Sequence, residues 1–480
     1  MGVLAMHAVP GAAWAQARWL RAESEHLIVY SDGDERVLRD YIIELETFDA
    51  LLRGFHGVSS PTPPRKLPIY LVRHGDALRR VAPTATRIAG FYSASTDNMF
   101  GVAIRTRGND HVMKHEYVHH FLWQNGQRSY PGWLSEGYAE YFGPTRIGDR
   151  TIDFGLIVEN RASRLAGGRW APLSALLTSG PFDLPGDHDG EMFYAQAWLL
   201  THWFVADPAR RARLADYLNA IRGGADSVAA MEAAAGMPIA DLERTLRSYL
   251  AGGLIVSSIP AATLQRPEVT VTQMPPSADA FVLTWPRLTS ADARDDAAVL
   301  PQLRVDQARW PDDPLGQLTL ARAELIYGDL AAAEGLLARR LATDPNDVDA
   351  LVLMADTRLK AREAEGADQE ALSAEASGYL RRALQIEPDN YQALYRSALA
   401  RSQAPDFPTA EDTRTLLLAF NRAPQVGKIR LAAASALIAR GIYPLAITLL
   451  EPIANSPHRR TYVEPARVLL AQARAGAGGS

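Results

Sequence analysis

The 480-residue chain predicts two folded parts in succession. The first is α+β, a small mixed sheet leading into helices, and the second is all-α, built of helical hairpins. Three observations predict this. Strand-like runs crowd into the first hundred or so residues and helical periodicity follows them, which is the α+β signature. Ala, Leu and Arg dominate the last third. There, Pro345, Pro388, Pro424 and Pro457 stand 43, 36 and 33 residues apart, the mark of a repeated supersecondary unit.

Composition limits the functions open to this chain. It is 47% hydrophobic and 22% charged, with 50 basic and 55 acidic residues and a formal net charge of −5. That balance argues against a nucleic-acid partner held by a basic field. Cysteine is absent. No disulfide, thiolate metal site or cysteine nucleophile is therefore available, and any metal must be held by His, Asp or Glu. Only eleven histidines are present, which makes their placement informative. The opening residues 1–16, MGVLAMHAVPGAAWAQ, are mostly apolar, lack a basic start and end in the small-x-small Ala13-Trp14-Ala15. They look like the remnant of a secretory signal peptide, implying a periplasmic or secreted bacterial protein, with a cytoplasmic one as the alternative. No later run reaches the ~18 apolar residues of a transmembrane segment.

Residues 17–257 carry the α+β elements in order. His26 to Tyr30 reads as a strand, Asp34 to Arg53 as an amphipathic helix, and Lys66 to Arg73 as a second strand behind a Pro-rich loop. Gly90 to Arg105 alternates enough for one or two strands with a turn at Thr96-Asp97-Asn98. Helical patterns then cover Asp110 to Trp123, Trp133 to Phe142, Gly190 to Val205, Pro208 to Arg222 and Pro238 to Leu250. Residues 258–310, richer in Pro, Thr and Asp, read as a linker with a short strand at Val269 to Thr272 and a helix or two.

Residues 311–475 hold the repeats, with a spacing near the ~34-residue period of tetratricopeptide (TPR) repeats. Aligned on the prolines, Leu320, Ala321, Gly328, Ala333 and Leu337 occupy the packing positions of such a hairpin. Ala376, Leu380 and Ala383 do so in the second, Leu416 and Ala419 in the third, and Gly441, Ala446 and Leu450 in the fourth. Small residues there let two helices approach closely. The second repeat is about nine residues too long, and the excess is expected in the turn around Arg362 to Asp368. Gln317 stands where the first repeat lacks the usual aromatic.

The chemistry concentrates between His111 and His120, which contains four histidines. His115-Glu116-Tyr117-Val118-His119 is an HExxH. On a helix, i and i+4 share a face about 6 Å apart, so both imidazoles can reach one tetrahedral Zn²⁺. Glu116, turned toward the open side, can take a proton from a zinc-bound water. A turn at Tyr130-Pro131-Gly132 then leads into Trp133-Leu-Ser-Glu-Gly-Tyr-Ala-Glu-Tyr141. Folding this second helix back brings Glu136 opposite the histidine pair as a third ligand. Glu140, one turn on, can accept the outer N–H of a ligand histidine. His111 and His120 fall off the ligand face, and His188 lies in a loop. Trp133 and Tyr138 are expected to pack the two helices together.

HExxH followed by WLSEGYAEY resembles the gluzincin branch of zinc metallopeptidases, in the MA clan of peptidases, whose W-L-x-E-G-[FY]-A helix supplies the glutamate ligand. The likeness covers roughly residues 22–250, and implies a zincin-like fold for the N-terminal part. Phe193-Tyr194-Ala-Gln-Ala-Trp resembles the helix start that carries a transition-state tyrosine in such enzymes, which gives Tyr194 that role by resemblance. With the opening SEHLIVYSDG strand and the repeat tail, the chain looks like a member of an uncharacterised bacterial peptidase-like family. Two relatives are set aside. The metzincin extension fails at Leu122, where glycine is needed, and at Asn125, where the third histidine would be, and an inverted H-x-x-E-H is absent. The amine-anchoring G-x-M-E-N segment of the aminopeptidases is also missing, with Asp97 its only weak substitute.

The expected function is zinc-dependent hydrolysis of a peptide or protein substrate, with Glu116 as general base and Tyr194 steadying the oxyanion. An extended substrate could pair with an edge strand in Gly90 to Arg105. The TPR-like repeats would recruit substrate or a protein partner. The alternative is a TPR-type binding or assembly protein with a structural or vestigial metal domain.

Overall fold

The computed structural model describes residues 19–59, 65–85, 88–105, 111–125, 130–181, 183–186, 189–290, 297–454 and 461–478. The signal-peptide remnant expected at residues 1–16 and the loop residue His188 lie outside them.

Among the described residues, nine strands form two sheets. They are β1 (Leu20–Glu23), β2 (Leu27–Ser31), β3 (Leu67–Val72), β4 (Gly90–Ala94), β5 (Met99–Ile104), β6 (Arg146–Ile147), β7 (Thr151–Phe154), β8 (Ser257–Pro260) and β9 (Thr270–Gln273). The main sheet runs β4-β5-β3-β2-β1-β9, and a small one runs β6-β7-β8. The main sheet is mixed: β2/β3 and β3/β5 are parallel, while β4/β5, β1/β2 and β1/β9 are antiparallel. The parallel centre is apolar, with Leu27, Val29, Ile69, Leu71 and Ala103 buried, as a strand covered on both faces requires.

The first ten helices are α1 (Glu35–His56), α2 (Gly75–Val81), α3 (His111–Asn125), α4 (Gly132–Phe142), α5 (Glu159–Gly167), α6 (Leu173–Thr178), α7 (Gly190–Val205), α8 (Pro208–Arg222), α9 (Ser227–Ala235) and α10 (Ile239–Ala251). α1 starts where the Asp34 carboxylate accepts from the amides of Arg36 and Val37. It runs past the expected end at Arg53 to His56 and is capped by Gly57, whose left-handed φ of 64° favours a residue without Cβ. α4 lies so close to α7 that a Cβ on Gly137 would sit 2.0 Å from Thr201 Oγ1 and 2.5 Å from the Ala197 carbonyl oxygen. That approach explains the glycine after Glu136. Trp133 and Tyr138 are buried, as packing residues should be. Trp133 donates to Tyr217 of α8 (3.2 Å), and Tyr138 meets His56 of α1, so they join α4 to other helices as well.

Residues 258–310 do more than link. β8 completes the small sheet and β9 extends the main one along β1. They also form α11 (Ala278–Phe281), α12 (Thr284–Thr289) and α13 (Val299–Arg309). Trp19 donates to Asp279 (2.9 Å), and Phe281, Val282 and Leu283 are buried. This segment is therefore part of the folded body. The linker reading is corrected because sparse hydrophobic residues hid contacts that exist only in three dimensions.

The C-terminal part is a row of antiparallel hairpins: α14 (Pro314–Tyr327) with α15 (Leu330–Thr343), α16 (Val348–Ala361) with α17 (Gln369–Ile386), α18 (Tyr391–Arg401) with α19 (Ala410–Arg422), and α20 (Gly427–Ala439) with α21 (Tyr443–Ala454), followed by α22 (Val463–Gly478). Leu320, Ala321, Ala333, Leu337, Ala376, Leu380, Ala383, Leu416, Ala419, Ala446 and Leu450 are all buried. The excess length of the second hairpin falls only partly in the turn. Residues 362–368 replace the two-residue turn of the first hairpin, and α17 has 18 residues against 14 in α15. Gln317 takes the missing aromatic's place by donating to the Pro311 carbonyl (2.9 Å). Among the described residues no helix is long and apolar enough to cross a membrane.

The first helices of successive hairpins face the main sheet and grip the β4–β5 turn. Asp97 of that turn meets Arg396 of α18 at 2.6 Å and Arg322 of α14 at 2.5 Å. Arg396 also donates to the Thr96 carbonyl (3.0 Å) and to Asp356 of α16 (2.5 Å). Tyr391 donates to the Ser95 carbonyl and Gln392 to that of Asp97.

Candidate metal centre

α3 is held beside the edge of the sheet by close contact with β5, where a Cβ on Gly101 would meet Met113 Cε at 2.9 Å. Its one-turn spacing sets the Nε2 atoms of His115 and His119 3.3 Å apart. α4 folds back across α3 and delivers Glu136, fully buried, with Oε2 3.5 Å from His115 Nε2 and 3.4 Å from His119 Nε2. The three donor atoms thus form a nearly equilateral triangle. A tetrahedral ion with bonds of about 2.0–2.1 Å needs donors roughly 3.3–3.4 Å apart. Two imidazoles and one carboxylate, buried and converging at that spacing, fit Zn²⁺.

The surroundings orient the ligands. Glu140 Oε1 lies 3.2 Å from His115 Nδ1, so it accepts the outer N–H and leaves Nε2 to face inward. Its carboxylate is itself held by Arg161 through bonds of 2.8 and 3.0 Å. Burial favours the neutral acid, but the His115 and Arg161 bonds prevail and bring Glu140 down to about 2. Burial likewise disfavours a charged His115, yet the Glu136 and Glu140 carboxylates lift it to about 10. Ser135 Oγ stands 3.3 Å from His119 Nδ1.

A cavity of about 90 Å³ opens at the triangle, lined by Tyr92, His115, Glu116, His119, Trp123, Glu136, Tyr194 and Gln425. Glu116 and Tyr194 thus share one space with the three ligands. The Tyr194 ring lies edge-on to His115, centroids 6.3 Å apart, with the Arg161 guanidinium 5.2 Å from its centroid. Burial, then the Glu136, Glu140 and Glu116 carboxylates, push the Tyr194 hydroxyl up, so it stays protonated.

Asp97 is not part of this centre. Its carboxylate is engaged by Arg322 and Arg396, so the weak substitute for an amine anchor is corrected to a structural ion-pair residue. His120 stands off the ligand face. It pairs with the Tyr92 hydroxyl at 3.0 Å, and burial lowers it to about 4. His111 lines neither the cavity nor the triangle, packing instead near Gly143. A second acidic group, His26, Glu46 and Asp49, is already compensated: Arg53 donates to Asp49 (2.6 Å), and His26 and Ser24 to Glu46. A larger cavity of about 460 Å³ lies on the other side of α3, between Tyr117, His120 and Gln124 and the hairpin row.

Sequence reasoning missed Arg161, Ser135, Tyr92, Trp123 and Gln425. Ser135 was adjacent to a recognised ligand. Trp123 stands one turn beyond His119 on the same helix, so its spacing carried a signal, whereas Arg161, Tyr92 and Gln425 carry none, because only the tertiary fold brings them to the HExxH helix.

No family model matches the chain, and no curated protein gives a significant match. Among solved structures, a thermophilic TPR protein of Thermus thermophilus is similar over 42% of this chain and 99% of its own length, at 18% identity and a TM-score of 0.34.

Proposed function

We propose that the chain is a zinc-dependent peptidase of gluzincin type with a zincin-like N-terminal part, its ligands His115, His119 and Glu136. The observation that carries this reading is the triangle of donor atoms with Glu116 and Tyr194 in the same cavity. Zinc, when bound, supplies a Lewis acid that polarises the scissile carbonyl and brings the pKa of a water toward 7. The remaining work falls to side chains. Glu116 accepts the proton of the attacking water and hands it to the leaving amine. The Tyr194 hydroxyl, kept protonated by its surroundings, donates to the oxyanion. Glu140 and Arg161 keep His115 turned the right way. β4 ends the main sheet, so an extended polypeptide can add to its outer edge and lie across α3.

The hairpin row serves this centre in cis, since its first helices hold the turn of the strand that would carry substrate. A protein partner of the TPR-like repeats would use the faces left open by that turn. Export to the periplasm or beyond completes the reading. Metal analysis of the purified chain, then digestion of casein with and without chelator, tests it. Bound zinc and chelator-sensitive cleavage are expected. Bound zinc without cleavage of any peptide would favour a binding or assembly protein.

A further inference from the structure

The metal cavity has one wall that the N-terminal part does not supply. Gln425, in the turn between α19 and α20, lines it alongside the ligands and Glu116. Its side chain is set firmly. The residue is only 6% exposed, and its carboxamide nitrogen donates to Gln124 Oε1 at the end of α3 (3.1 Å) and lies 2.7 Å from Met99 Sδ at the start of β5. The turn is equally fixed. Arg430 donates to the Pro424 carbonyl (2.7 Å), and the same guanidinium lies 4.8 Å from the ring centroid of Trp123, another lining residue. The Gln425 carboxamide oxygen, by contrast, is buried with no hydrogen-bond partner. A buried acceptor left unmatched is costly, and a donor brought into the cavity that the residue lines can match it. An extended polypeptide brings such donors in its main-chain N–H groups.

We infer that Gln425, carried by the hairpin row, positions substrate at the metal centre by accepting a hydrogen bond from the main chain of the bound polypeptide. This rests on the peptidase reading above. The row is then a wall of the active site as well as a brace for β4–β5, and the bond is blind to side-chain identity, as the main chain is common to all polypeptides.

The test uses the full, zinc-loaded chain carrying Glu116→Gln, so that bound polypeptide is not consumed, with fluorescein-labelled casein peptides as the probe. Gln425→Met keeps the side chain's length and removes the acceptor. Gln124→Met removes the Gln124–Gln425 bond from its other end and leaves the acceptor in place. Gln425→Met is expected to weaken binding roughly three- to tenfold, the worth of one hydrogen bond. Gln124→Met should stay within about twofold of its parent, with zinc content and melting temperature of both variants unchanged. Equal weakening by the two variants would make Gln425 a structural clamp and overturn the inference. Parental affinity in Gln425→Met would also overturn it while leaving the peptidase reading intact. Failure of the parent to bind any casein peptide would overturn both, and only that outcome touches the peptidase reading.

Discussion

The carboxylate of Asp97, at the tip of the β4–β5 turn, accepts from the guanidinium of Arg396 at 2.6 Å across 299 residues of sequence. Arg322 and Asp356 complete the cluster. Two arginines and two aspartates, all largely buried, neutralise one another. Burial opposes ionisation of Asp97, but Arg322 and Arg396 outweigh it and hold the carboxyl well below the usual range. The same cluster pins the hairpin whose first strand edges the metal cavity.

Asp97→Asn therefore leaves two buried arginines sharing one aspartate. Removing one partner of a buried ion pair costs on the order of 3 kcal/mol. A lower urea midpoint, with faster proteolytic cleavage between the two parts, is expected. A midpoint equal to that of the parent would mean the cluster does not hold the parts together.

His56 offers a test by pH. Its ring lies among Phe55, Phe121, Tyr138 and Phe142, and burial lowers its pKa from 6.5 to about 4. The folded state thus favours the neutral ring. Its contribution is complete above the unfolded pKa of 6.5 and is lost as pH falls toward 4. His56→Phe should flatten the fall in melting temperature over that window, by on the order of 2 kcal/mol at its acid end. Parallel curves for the two proteins would show that His56 is not the titrating group.

Glu140→Gln keeps an oxygen facing His115 and removes the charge. Changing the partner of a metal-ligating histidine typically lowers metal affinity 10- to 100-fold. Competition with a chelating dye should show a loss of about that size without a change in secondary structure. Unchanged affinity would make Glu140 a mere partner of Arg161.

Gly137→Ala forces a methyl group to within 2.0 Å of Thr201 Oγ1 and 2.5 Å of the Ala197 carbonyl oxygen. Destabilisation of about 2–4 kcal/mol is expected, only partly relieved by adding Thr201→Ala, since the backbone clash persists. Full rescue in the double variant would place the constraint in the side chain alone.

Local chemistry made much of this legible in advance. The apolar runs at Leu27 and Leu67, the amphipathic periodicity from Asp34 and the small residues of the hairpins all announce their elements. His115, His119 and Glu136 are close in sequence, so helix geometry and one short turn bring them together. β1 could not be read that way. Its sequence Leu-Arg-Ala-Glu buries only Ala22, and its pairing with β2 and β9 comes from the tertiary fold. Asp97 was visible as a carboxylate near the site, but its arginine partners lie 225 or more positions away, beyond the reach of any local pattern. Gln425 was hidden for the same reason.

The most direct test of the central claim is Glu116→Gln, read by metal content and by hydrolysis of casein together. This substitution leaves His115, His119 and Glu136 untouched and removes only the base that accepts the proton. One equivalent of zinc with hydrolysis reduced to background is the expected result. Stoichiometric zinc with hydrolysis undiminished would contradict the mechanism.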